Sequence, residues 1–234
     1  MNRKEQREYW LKFHRFQLRY ENLYYARINR ALKNQVQQYI DKKDLLYVRS
    51  GELYGVLLEL YKQVGSVWAR HTRRIKAAGQ MGFSERIVML MRQYYGIDLL
   101  NDAEGITDTT KAVIQRVLEE AAQEGWSFDE IVRKIDGINR NRARLIARTE
   151  TVTAANGAAM INAKELGIPL NKIWISATDN RTRRDHYLMN RVTVGINDNF
   201  IVGGFPMQQP GDRTQGAPAK EICNCRCVVA FIPV

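Results

Sequence analysis

Cysteine and histidine are scarce in this 234-residue sequence, with three of each. The cysteines are Cys223, Cys225 and Cys227. Such close spacing excludes the framework of distant disulfides on which a small secreted scaffold depends, and it points to a reduced compartment. Long apolar runs are missing as well. No stretch approaches the ~18 residues of a membrane-spanning helix, and the opening residues, MNRKEQREYW, carry charges where a secretory signal needs its apolar stretch. The expectation is a chain made and kept in a cytosol, with no membrane segment. A P-loop, a nucleophile elbow, an HExxH pair and a dinucleotide fingerprint are all absent, so no standard catalytic machinery is on offer.

What is present describes a folded chain. Hydrophobic residues make up 45% and charged residues 26%, and the length suffices to bury a real core. The net charge of +11 is unevenly placed. Residues 1–80 hold 17 Lys and Arg against 7 Asp and Glu, whereas the remainder holds 19 against 18. A positive field confined to the first third fits a polyanion or an acidic protein surface as partner, and it equally fits a solvated helical face.

Periodicity organises the chain. Trp10, Phe13, Phe16, Tyr20, Leu23, Ile28, Leu32, Val36 and Tyr39 recur at helical spacing over 3–40, with a basic outward face. A second helix is expected over 52–78, ending in a cationic cluster that also complements the helix dipole. From these two helices the candidate phosphate contacts are Arg15, Arg19, Arg27, Arg30, Arg70, Arg73, Arg74 and Lys76. Ser84 is placed to cap a third helix through Gln93, with a connection over 96–106 and a further helix over 108–124. Ser127-Phe128-Asp129-Glu130 has the form of a capping box and should start a short helix ended by Gly137. A longer helix over 141–166 follows, closed by Gly167 and Pro169.

On that last helix Leu145, Thr149, Val152, Asn156, Ala159, Ala163 and Leu166 share a face. If it is buried, Thr149 and Asn156 must find partners, because an unpaired buried polar group costs about 1–3 kcal/mol. Gly157 implies a contact that a methyl group would spoil. Beyond Pro169, strands are expected at 173–177, 191–195 and 225–232, between loops rich in Gly, Pro, Asn and Asp. The fold class is therefore α+β: a mainly helical N-terminal and middle part with a compact, loop-rich C-terminal part containing a small sheet. The divisions fall at 1–80, a basic helical region, 81–104, a helix and connection, and 105–234, a domain.

The loop after the first strand carries Asp179, Arg181, Thr182, Arg183, Asp185 and His186, and the last strand opens with Cys223-Asn224-Cys225-Arg226-Cys227. At strand spacing the three sulfurs point to one face. With His186 they are candidate ligands for a structural Zn²⁺ closed by four groups. Packed cysteines and a hydrogen-bonded histidine are the alternative. A metal-assisted hydrolase using His186, Cys225 and Cys227, with Asp179 or Asp185 acting on water, is the competing enzymatic reading.

The string Ala147-Arg148-Thr149-Glu150-Thr151, then Trp174 followed by Asp179-x-Arg181-Thr182-Arg183-x-x-His186, then Pro210-Gly211-Asp212 and Asn224-Cys225-Arg226-Cys227, resembles the Mu F-like head morphogenesis, or minor head, proteins of tailed bacteriophages. The order and spacing carry the resemblance, which covers about 105–232. Its motif and structural positions are Arg148, Thr149, Glu150, Asn156, Asp179, Arg181, Thr182, Arg183, His186, Cys225, Arg226 and Cys227. It implies a non-enzymatic capsid component at the portal vertex that aids head assembly and DNA packaging and delivery. The implied partners are the portal protein, phage double-stranded DNA, and scaffolding or major capsid protein. The implied location is the host cytoplasm during assembly and then the virion. Some relatives carry toxin domains after this module; with the last strand ending near Val234, none is expected here.

Overall fold

Helix α1 (Arg3–Lys42) begins at a capping box. The Asn2 side chain accepts a hydrogen bond from the backbone N–H of Glu5 at 3.0 Å, and the Glu5 carboxylate accepts one from the N–H of Asn2 at 2.7 Å. Phe13, Tyr20, Tyr24, Ile28, Ala31, Leu32 and Val36 form its buried stripe. Tyr24 replaces the expected Leu23, which is exposed. Helix α2 (Gly51–Thr72) packs Leu53, Leu57, Leu60, Val64 and Trp68 into the same core. The computed structural model describes residues 1–72 and 83–234. Arg73, Arg74 and Lys76, and the end of the helix expected to reach residue 78, lie outside the described residues.

Two expected breaks are not there. Helix α3 (Phe83–Glu124) runs through the expected connection at 96–106. The reason is visible in its buried positions: Ile87, Met91, Tyr95, Leu99, Ala103, Thr107, Thr110, Ile114, Val117 and Ala121 continue at helical spacing without interruption. The two threonines satisfy their hydroxyls internally, Thr107 donating to the carbonyl of Ala103 at 2.6 Å and Thr110 to that of Ile106 at 3.0 Å. Gly96 and Gly105 each cost the helix about 1 kcal/mol, less than the burial of a single Leu or Tyr returns. Helix α4 (Phe128–Glu165) likewise passes through Gly137, because Ile135, Asn139, Ala143 and Ala147 keep the buried stripe in phase. The Ser127–Glu130 capping box does start it.

The C-terminal part contains a three-stranded antiparallel sheet in the order β2 (Thr193–Gly195), β1 (Leu170–Ile175), β5 (Val228–Pro233). Trp174 is paired with Val229 and Ile173 with Ala230. A separate hairpin, unforeseen in the sequence, joins β3 (Phe200–Val202) to β4 (Phe205–Met207). Its two-residue turn is Gly203-Gly204, both at positive φ, which suits the right-handed twist of paired strands. Short helices α5 (Arg184–Leu188) and α6 (Ala219–Ile222) complete the chain. One apolar core extends from α1 and α2 through α3 and α4 to the sheet, and a smaller cluster lies around Val36, Ile114, Val117 and Ile135. Among the described residues no helix is long and apolar enough to cross a membrane.

The small residues of α4 let its neighbours approach closely. A Cβ added at Gly157 would come within 2.2 Å of the Tyr95 hydroxyl oxygen, whereas one added at Gly137 meets nothing within 4 Å. The same substitution should therefore have opposite signs at the two sites. Gly157→Ala should lower stability by about 1–3 kcal/mol through overpacking, and Gly137→Ala should raise it by about 0.5–1 kcal/mol. Denaturant melts of both variants check this, and equal effects would contradict the packing.

Candidate functional site

The polar stripe of α4 is where the parts of the molecule meet. Thr149 Oγ1 accepts the backbone N–H of Asn224 at 2.9 Å. Asn156 places its amide against the start of β5, donating to the carbonyl of Cys227 at 3.1 Å and accepting from the N–H of Val229 at 2.9 Å. Both polar residues thus find the partners that burial requires, and through them the helix is fastened to the cysteine segment. Leu145, expected on the same buried face, instead stands exposed at the rim of a cleft.

Arg148 and Glu150, two residues apart in sequence, serve different neighbours. Arg148 makes a two-pronged contact with Glu21 of α1, at 2.9 and 2.8 Å, and reaches Asn224 with its remaining nitrogen. The Glu21 side chain is 2% exposed. Glu150 accepts the Tyr61 hydroxyl of α2 at 2.8 Å and lies 3.3 Å from Arg213. Arg213 is also paired with Asp102 of α3. Two carboxylates share one guanidinium there. Burial and the charge of Glu150 push Asp102 up to about 6, against the pull of Arg213. A cleft of ≈470 Å³ beside this group is lined by Asp102, Arg142, Thr149, Glu150, Arg213 and Cys223, among others.

The loop after β1 folds around Asp179. Its carboxylate accepts the N–H of Arg181 at 3.1 Å and the Thr182 hydroxyl at 3.0 Å, closing a tight turn. Arg226 then grips it with two hydrogen bonds of 2.6 Å. The Arg226 guanidinium, helped by the Thr182 hydroxyl, holds the carboxyl well below the usual range despite partial desolvation. Arg183 donates to the carbonyl of Cys223. Arg181 remains exposed. The Pro210-Gly211-Asp212 turn packs on α4: a Cβ at Gly211, whose φ is +87°, would lie 2.6 Å from Thr153 Oγ1.

At the centre of this region His186 of α5 faces two sulfurs. Its Nδ1 is 3.5 Å from Cys225 Sγ and 3.5 Å from Cys227 Sγ, and its Nε2 is 3.1 Å from the Glu221 carboxylate. All four residues are buried. Hydrogen bonding from Cys227 lowers the Cys225 thiol well below its ordinary value, against burial and with help from His186. Burial and that same donated bond raise Cys227. For His186, burial opposes the charged ring, but bonding to Cys225 and the charges of Cys225 and Glu221 outweigh it and raise its pKa.

Cys223 is not brought to this group, which corrects the expectation of three sulfurs on one face. The strand starts only at Val228, and Asn224 sits at φ +60°, a left-handed turn that Asn tolerates. Cys223 is thereby turned into the cleft beside Glu150, where burial raises its thiol pKa. Among the described residues, His186, Cys225 and Cys227 are the group able to hold a metal ion.

Arg15, Arg19, Arg27, Arg30 and Arg70 are all exposed. The start of α1 is fixed to the sheet, since Trp10 donates to the carbonyl of Arg226 at 3.0 Å and Tyr9 to that of Val229 at 3.3 Å. Sequence reasoning missed Glu21, Asp102, Arg213, Glu221 and the fully buried Lys172, which burial lowers to about 8. Glu21 had a signal, a charge in phase with Gln17 and Tyr24 on the buried stripe. Glu221 had none, lying in a loop-rich stretch without periodicity.

Residues 112–230, just over half of the chain, match the family described as Phage Mu protein F like protein, and the chain belongs to that family. It is 31% identical over 134 residues to minor head protein GP7 of Bacillus phage SPP1, covering 55% of this chain and 41% of that protein. It is 35% identical over 112 residues to NAD(+)--arginine ADP-ribosyltransferase EFV of Enterococcus faecalis, covering 44% of this chain and 22% of that protein. Uncharacterized protein YqbB of Bacillus subtilis is 25% identical over 133 residues, 55% of this chain and 44% of YqbB. The chain thus spans less than half the length of these curated relatives. No solved structure matches it.

Two outcomes are expected. Asn156→Ala and Thr149→Ala should each lower stability by about 1–3 kcal/mol, because both leave a backbone N–H unpaired; unchanged melting temperatures would contradict the fastening role. Asp179→Asn should cost stability at neutral pH by an amount that shrinks on acidification. The folded-state pKa of Asp179 is depressed, so its contribution is full above the unfolded value of about 3.9 and is lost as pH falls through the lower folded one. Melting temperatures of wild type and variant from pH 7 to about 2 should converge. A pH-independent gap would remove the ionic explanation.

Proposed function

We propose that this chain is a structural minor head protein rather than an enzyme, that it docks at the portal vertex, and that it contacts DNA phosphates through the basic face of α1. The observation that carries the reading is the family membership together with the likeness to minor head protein GP7. The exposed Arg15, Arg19, Arg27 and Arg30 support the DNA contact, since none of them pairs with a carboxylate among the described residues. Its place would be the host cytoplasm during assembly and the capsid interior afterwards. Scaffolding or major capsid protein are further partners in this reading.

Two features support the structural side. Apart from the exposed Arg181, the signature residues are engaged with one another and with the core, and the space beside His186, Cys225 and Cys227 amounts to only ≈20 Å³, too little for a hydrolase substrate. The transferase-named relative matches this chain over 22% of its own length, and the match alone does not carry its named activity over.

Co-expression with the portal protein of the same phage, followed by size exclusion, should give co-elution; separate elution together with absence from virions would defeat the portal reading. Binding to duplex DNA of mixed sequence should weaken steeply with salt. Replacing Arg15, Arg19, Arg27 and Arg30 with Glu should flatten log K against log salt by about 1 for each phosphate that is no longer neutralised. An unaltered slope would move the DNA contact elsewhere.

A further inference from the structure

The group around His186 has distances that a hydrogen-bonded histidine does not explain. The unprotonated nitrogen of a neutral imidazole has one lone pair, so Nδ1 can accept from one thiol. Here it stands 3.5 Å from both Cys225 Sγ and Cys227 Sγ. A tetrahedral Zn²⁺ with Zn–N of about 2.0–2.1 Å and Zn–S of about 2.3 Å sets nitrogen and sulfur about 3.5 Å apart. Both edges have that length, and the three donor atoms lie within 4.8 Å of one another.

The surroundings match a metal site as well. Glu221, its side chain 3% exposed, holds Nε2 at 3.1 Å, the carboxylate–histidine arrangement that fixes the tautomer and aims the other nitrogen at a metal. The backbone N–H of Cys227 points to Cys225 Sγ at 3.4 Å, a contact that favours a thiolate. The fully buried indole of Trp174 packs edge-to-face with the His186 ring, the ring centroids 5.5 Å apart. The residues of the group also line a cavity of ≈20 Å³, room for about one water.

We propose that His186 Nδ1, Cys225 Sγ and Cys227 Sγ bind one Zn²⁺, with a water at the fourth vertex and Glu221 as the positioning residue behind the histidine. On binding, two thiol protons leave to solvent and the two thiolates cancel the charge of the ion, so the ion and its ligands together carry no net charge. The metal joins α5 to the segment that opens β5. The site stands on local geometry and does not depend on portal docking or DNA contact.

The test uses the full chain purified without a metal-binding tag. Elemental analysis should find about one zinc per chain, and chelator should release it and lower the melting temperature. Metal-free chain titrated with Co²⁺ should develop the absorption of tetrahedral, thiolate-ligated cobalt. Cys225→Ser and Cys227→Ser should lose the metal and Cys223→Ser should keep it. Glu221→Gln should bind about tenfold to a hundredfold more weakly. If the serine variants fail to fold, the Co²⁺ titration of the intact chain still decides. Zinc-free protein that takes up neither Zn²⁺ nor Co²⁺, retention of metal by both Cys225→Ser and Cys227→Ser, or a disulfide between Cys225 and Cys227 in the native chain would overturn the site.

Discussion

A carboxylate on the inner face of a helix must be answered by a cation, and in this protein much of the assembly follows from that requirement. Glu21 sits between Gln17 and Tyr24 on the buried stripe of α1. Left alone it would be costly, because an ion removed from water forfeits several kcal/mol of solvation. Arg148 meets it with two parallel hydrogen bonds and extends its third nitrogen to Asn224. One guanidinium thereby fixes α1, α4 and the segment between α6 and β5 relative to one another. Geometry of this kind is available to arginine and not to lysine, whose ammonium is a single point of charge.

The same logic recurs two residues further on. Glu150 faces away from Glu21 and takes up Tyr61 and Arg213, and Arg213 in turn holds Asp102. Replacing such buried pairs with apolar residues is often neutral or stabilising in proteins, so their value here lies in register more than in raw stability. An apolar contact between α1 and α4 could slide by a turn. The Arg148–Glu21 and Glu150–Tyr61 contacts cannot both be made in a shifted register.

Much of the helical architecture was legible because a 3.6-residue apolar rhythm was present, as in α1 and α2, and because the Ser127 capping box is local chemistry. Where the reading failed, it gave single glycines too much weight. Gly96, Gly105 and Gly137 each look like punctuation, yet the stripes of α3 and α4 stay in phase across them, and a phase maintained over many turns outweighs about 1 kcal/mol of local preference. Thr149, Asn156 and Gly157 could be understood from one helix face alone. Glu221, Arg213 and Asp102 could not, because each acquires its role from a residue distant in sequence, and the β3–β4 hairpin is too short to leave an alternating pattern. Cys223 was misplaced for a related reason: strand alternation was extended through Asn224, whose left-handed backbone interrupts it.

The residues singled out in the sequence divide between those engaged inside the chain and those left exposed on its surface. Arg148, Thr149, Glu150, Asn156, Asp179 and Arg226 are all satisfied by other groups of the same chain. A side chain already committed in this way has little capacity left for an outside partner, since leaving its buried neighbour unpaired would cost more than a typical surface contact returns. These residues hold the elements of the fold in register. Outside the family match, Arg15, Arg19, Arg27 and Arg30 stand exposed on α1. Tyr9, Trp10 and Glu21 anchor that helix to the matched region, so the charged face is presented by a rigid body. A rigid row of cations can follow a phosphate backbone without first losing chain entropy, which a basic tail of the same charge would have to do on binding.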